Sequence, residues 1–235
     1  MFTRLYYYCL LIVIVSEVSN ALTSITSKSD EMKGFTGLRV SLYPKVKDNQ
    51  SLKGAIKSAV KGISDLGLEV KPDDCSTAIL GPESSLFEAA RVMFGRACRL
   101  EGNPHVSMIC TFSAGCPGEP DRSPLPERLV NESKEDWIED AFNLPSRVAC
   151  QYAIYPLGSK DYMKTIRDVI SFAQKSPSYK PELKTHFCTT LDGDGAEVFD
   201  VLRNSFELAR SKNSHVTMTA TLTANKSMWK KNDDK

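Results

Sequence analysis

Two threonines stand where the alternation of the chain asks for an apolar residue. In Cys75-Ser76-Thr77-Ala78-Ile79, Thr77 shares a face with Cys75 and Ile79. In Phe187-Cys188-Thr189-Thr190-Leu191, Thr189 shares a face with Phe187 and Leu191. Alternation of this kind describes a strand with one buried face. A hydroxyl on that face needs a partner, because leaving it unpaired costs about 1–3 kcal/mol. Nearby backbone is one candidate, since threonine bonds its own chain readily. A ligand is the other: small-molecule sites set a few oriented polar groups into mostly apolar walls. The chemistry on offer is recognition.

The reactive residue types do not assemble into a catalytic pattern. There are three histidines, His105, His186 and His215. His105 and His215 open matching segments, which points to a turn hydrogen bond. The sequence holds no nucleophile elbow, phosphate loop or dinucleotide fingerprint. Asp192-Gly193-Asp194-Gly195 resembles the start of a calcium loop but lacks the remaining ligands and the closing Glu, so it reads as a turn and helix cap. None of the seven cysteines falls in CxxC spacing, which argues against zinc. They read as buried free thiols, with disulfides an alternative in a secreted chain. A formal net charge of +1 gives no basic footprint for nucleic acid. Were the chain an enzyme, Cys116 and His105 would be the first suspects. The expectation is no catalysis, no cofactor and no metal.

These segments recur because the chain is written twice. His105-Val106-Ser107-Met108-Ile109-Cys110-Thr111-Phe112-Ser113 returns as His215-Val216-Thr217-Met218-Thr219-Ala220-Thr221-Leu222-Thr223. Ser41-Leu42-Tyr43-Pro44 returns as Ala153-Ile154-Tyr155-Pro156, and the run from Gly81 to Phe94 returns from Gly193 to Phe206. Tyr43 and Tyr155, Gly81 and Gly193, and Phe94 and Phe206 are each 112 positions apart. That period is too long for a solenoid repeat, so each copy is a small domain.

Within the first copy, alternation predicts strands at 38–43, 68–70 and 75–80 and from His105. A stripe of Leu52, Ala55, Ile56, Ala59, Val60, Ile63 and Leu66 predicts a helix over 51–66. A second helix, 83–98, turns Leu86, Phe87, Ala90, Met93, Phe94 and Ala97 inward. In the second copy the first helix carries Tyr162, Met163, Ile166, Val169, Ile170 and Ala173. The order β-α-β-β-α-β is the split βαβ unit. The expected fold is α+β: two tandem ferredoxin-like repeats, with antiparallel sheets and helices on one face. The repeats span 38–116 and 148–224, joined by a polar, proline-containing linker at 117–147 and followed by a tail at 225–235. The helix-free face, with Ser107, Thr111, Thr217 and Thr221, asks for a cover, either a second subunit or the other repeat.

Residues 1–21 carry Arg4, an apolar run at 5–15, and small residues Ser19 and Ala21. That is the pattern of a secretory signal peptide, with an uncleaved anchor or a bipartite organelle signal as alternatives. Residues 22–37 are a polar leader expected to be disordered. Asn49, Asn131 and Asn225 begin glycosylation acceptor patterns.

Ser41-Leu42-Tyr43-Pro44, Ser76-Thr77 and the run from Thr111 to Gly118 resemble the YkoF family. So do Cys150 to Pro156, Asp161-Tyr162-Met163, Leu191-Asp192-Gly193-Asp194 with Val198-Phe199, and His215 to Thr219; the resemblance covers 38–224. It implies a homodimer that binds thiamine or its hydroxymethylpyrimidine moiety, in uptake or salvage, with a partner transporter. It also implies one groove per repeat, anchored by Leu42 and Thr77 and by Ile154 and Thr189. Met108 and Met218 line the same faces, and Asp73, Asp74 or Tyr43 lie nearest the thiazolium. The leader departs from cytoplasmic bacterial members and suggests scavenging or storage outside the cell or in a vesicle. The alternative function is a regulatory or interaction module without thiamine binding, since the fold serves many roles.

Overall fold

A computed structural model describes residues 35–116, 143–181 and 186–226. The expected signal peptide, most of the leader and linker, the sequon at Asn131 and most of the tail lie outside the described residues. The first repeat consists of β1 (Phe35–Pro44), α1 (Asn49–Val60), a 3-10 turn (Ile63–Leu66), β2 (Glu69–Pro72), β3 (Thr77–Leu80), α2 (Glu83–Cys98) and β4 (Val106–Cys116). The second consists of β5 (Val148–Leu157), α3 (Tyr162–Ala173), β6 (Thr189–Gly193), α4 (Gly195–Arg210) and β7 (His215–Ala224).

All seven strands join one antiparallel sheet in the order β2-β3-β1-β4-β7-β5-β6. Each half keeps the ferredoxin-like pattern, with its last strand beside its first. The halves meet at β4 and β7, the two strands whose sequences repeat most plainly. The two expected sheets are therefore one. The second repeat extends the polar face sideways and does not cover it. In the second repeat the place of β2 is taken by Ser178–Lys180: Asp192 donates its N–H to the Ser178 carbonyl, and Lys180 donates to Thr190.

Alternation decides which face is core. Val106, Met108, Cys110, Phe112 and Ala114 of β4 are buried, while Ile109 points the other way and is 44% exposed. The buried faces of both repeats feed one core. Phe87 of α2 stacks on Phe112 of β4 at 4.0 Å, and Phe206 of α4 tilts against both. Phe94 and Phe199 meet at 5.9 Å. Arg91 pairs with Asp200, and Arg210 with Glu83, across the same two helices.

Four local expectations are corrected. The first helix does not run through to Leu66: it ends at Val60, because Gly62 adopts a left-handed φ of 73° and restarts the chain as the 3-10 turn. β3 begins at Thr77, not Cys75, because Asp73 Oδ1 accepts the N–H groups of Cys75 and Ser76 and folds that stretch into a turn. β6 begins at Thr189; Phe187 has φ 69° and is 99% exposed, so it shares no buried face with Thr189. Tyr162 and Met163 occupy the first turn of α3 and are exposed.

Candidate ligand-binding site

The β ladders line up the first-repeat residues. Thr77 lies directly across from Val40, and Leu42 directly across from Met108. All four are buried on the helix-facing side. Leu42 is two residues beyond Val40, which makes it a diagonal neighbour of Thr77, about 7–8 Å away along the pleat. Thr77 is 8% exposed, and its hydroxyl has no hydrogen-bond partner among the described residues. The backbone bond that would explain this threonine as a structural residue is not made.

The turn leading into Thr77 is pinned from the open face. Arg39 donates to Asp73 Oδ2 at 2.6 Å and to Ser76 Oγ at 2.7 Å, and Ser41 Oγ donates to the Cys75 carbonyl at 3.0 Å. The Arg39 bond, helped by the N–H groups of Cys75 and Ser76, holds the Asp73 carboxyl down to about 2. This clamp was not anticipated, because it depends on which strand lies beside the turn. At the places of Arg39 and Ser41 the second repeat has Gln151 and Ala153.

The second repeat uses the same frame with different filling. Thr189 lies across from Tyr152, and Ile154 across from Met218. Tyr152, 2% exposed, directs its phenol to Ser205 Oγ on α4 at 3.2 Å. Burial pushes its pKa up to about 12. Comparison of the two copies could have exposed this residue, since Val40 is its counterpart.

The residues that would serve an enzyme are engaged or kept apart. Cys116 ends β4 and His105 precedes its start, and the strand is 11 residues long, about 36 Å at roughly 3.3 Å per residue. His105 Nε2 bonds Thr223 Oγ1 at 2.8 Å, tying the first repeat to the second. Burial lowers the pKa of both His105 and His215. The described cysteines are free. Burial pushes the Cys98 thiol up to about 12 and raises those of Cys110 and Cys150 as well, so these three stay protonated. Asp194 caps α4 by accepting the N–H groups of Ala196 and Glu197, and Asp192 takes Arg147 through two bonds of 3.0 Å.

A family model described as "YKOF-related Family" matches residues 35–119 and 147–227, one span for each half of the sheet. The chain belongs to this family. A relative from Bacillus subtilis (strain 168), named "Putative HMP/thiamine-binding protein YkoF", is 33% identical over 191 residues. The match covers 81% of this chain and 90% of that protein. Membership in the YkoF-related family accounts for the tandem architecture.

Proposed function

We propose that this chain is a non-catalytic binding protein for thiamine or its hydroxymethylpyrimidine moiety, with one groove in each repeat. The name of the relative supports the ligand class. The observation that carries the reading is the Thr77 hydroxyl, unpaired among the described residues and set on an apolar face beside Leu42 and Met108. A flat pyrimidine suits such a slot. Its faces pack on aliphatic and thioether side chains, and its amino group and ring nitrogens complete the hydroxyl's bonding. Ile154, Met218 and Thr189 repeat the arrangement. Asp73 is already held by Arg39, and Tyr43 lies on the open face, opposite Leu42, which leaves Asp74 to face a bound thiazolium.

In the same reading the chain is secreted, scavenges or stores the vitamin or its precursor, and works with a transporter. It acts as a homodimer. Support for the dimer comes from the open face of the sheet, where Tyr43, Ile109, Tyr155 and Leu157 are large, apolar and exposed.

Thermal unfolding with added ligand tests the binding reading. Ligand that binds only the folded state stabilises it by about 2.7 kcal/mol at one hundred times Kd. Thiamine or hydroxymethylpyrimidine should raise Tm in a concentration-dependent way. No shift with either would overturn the reading in favour of an interaction module.

A further inference from the structure

Phe187 is the most exposed large apolar side chain among the described residues, at 99%, and its backbone has a left-handed φ of 69°. Both features cost free energy, since an aromatic ring gains by burial and a bulky residue is strained at such a φ. Strain of this kind concentrates where a segment has a second arrangement to adopt. The ladder shows which one. Pairing of β5 with β6 stops at Tyr152 across from Thr189, although β5 runs on to Leu157. Two more residues in the same register would set Phe187 across from Ile154. Side chains directly across a ladder share a face, and the face of Ile154 is the buried one that forms the second groove. In the first repeat the place of Phe187 is taken by Cys75. The Cys75 N–H is held by Asp73 Oδ1, and Asp73 is held by Arg39. Where that clamp has Asp73, Arg39 and Ser41, the second repeat has Thr185, Gln151 and Ala153, so none of its three groups is kept.

We propose that Phe187 closes the second groove over its ligand: residues 187 and 188 straighten, β6 grows by two residues, and the ring comes to lie across from Ile154 with one face against the pyrimidine. The proposal rests on the binding reading above. A flat heteroaromatic ligand gives the ring a stacking partner. Straightening returns φ to the extended region and gives the open edge of β5 a partner. β6 is the last strand of the sheet on this side, so the ring forms the outer wall of the groove. The first groove, with Cys75 fixed in its turn, gains no such wall. The second groove therefore closes on its ligand and releases it more slowly than the first.

The test is a calorimetric titration of hydroxymethylpyrimidine into the full chain carrying Thr77→Val, so that only the second groove is read. Adding Phe187→Ala should weaken binding roughly 3- to 10-fold, the weight of one aromatic stacking contact. The Tm of the ligand-free chain should not move, because the ring is exposed there. In a Thr189→Val chain, Phe187→Ala should leave the first groove's affinity unchanged. The movement is read separately. In a Phe187→Trp chain the emission, taken as the difference from the wild-type chain, should shift to the blue as hydroxymethylpyrimidine is added. Unchanged second-groove affinity in Phe187→Ala would overturn the proposal, and so would weakened affinity with an unshifted emission. Tighter binding would also overturn it, by making the ring a plug that the ligand displaces. If the Thr77→Val parent binds nothing while wild type binds one equivalent, the proposal fails and the binding reading stands. If wild type binds nothing, the binding reading itself has failed, and the proposal with it.

Discussion

Thr77 lies directly across the β1–β3 ladder from Val40, on the buried side of the sheet, with its hydroxyl unpaired among the described residues. An apolar neighbour across the ladder cannot satisfy it, and the turn before it is already occupied by Arg39 and Asp73.

The Arg39 clamp should matter to the first groove and little to the fold. An exposed ion pair contributes about 0–1 kcal/mol, so Arg39→Ala should leave global stability nearly unchanged. Released from the clamp, the turn should hold Thr77 less firmly, and first-groove affinity should fall several-fold. Titration in a Thr189→Val chain reads that groove alone. An unchanged affinity would remove the turn from the account.

The Phe87–Phe112 stack lies at the seam of the repeats. Phe112→Ala should cost about 3–5 kcal/mol in denaturant unfolding. Because Phe206 of the second repeat packs on the same ring, both repeats should still unfold in one transition. Two separated transitions, only one of them moved, would show that the repeats are independent.

Gly115 and Gly54 make a paired test. Gly115 has φ 76°, and a Cβ there would sit 1.7 Å from the Ser214 carbonyl oxygen. Gly115→Ala should destabilise by more than ~1 kcal/mol. Gly54, in the middle of α1, has nothing within 4 Å. Gly54→Ala should stabilise by roughly 0.5–1 kcal/mol. Chemical denaturation of both variants checks the two signs together.

His105 gives a pH dependence of defined sign. Burial and the nearby Lys226 and Lys45 lower its pKa below the ordinary histidine value, so the folded state favours the neutral ring. Its contribution to stability is present above the unfolded value and is lost as pH falls below it through the folded pKa. Nuclear magnetic resonance titration should place its midpoint below 6.5, and His105→Gln should flatten the loss of Tm on acidification. A midpoint above 6.5 would contradict the burial argument.

Much of this was legible in the chain because two periods were clean. Alternation in β4 and β7 fixed the buried faces, and the stripe on α2 fixed what covers them. The merged sheet was not legible, since alternation says which face is buried and nothing about which edge pairs. The end of α1 was missed because the apolar stripe continues through Ile63 and Leu66 while the backbone turns at Gly62. Thr77 could be singled out from strand phase alone. That Tyr152 lies directly across from Thr189 needed the ladder register.

The most direct measurement is isothermal titration of the wild-type chain with thiamine and, separately, with hydroxymethylpyrimidine. The account predicts saturable binding at two equivalents per chain, reduced to one by Thr77→Val. Folded protein that gives no binding heat and no Tm shift with either ligand would contradict it.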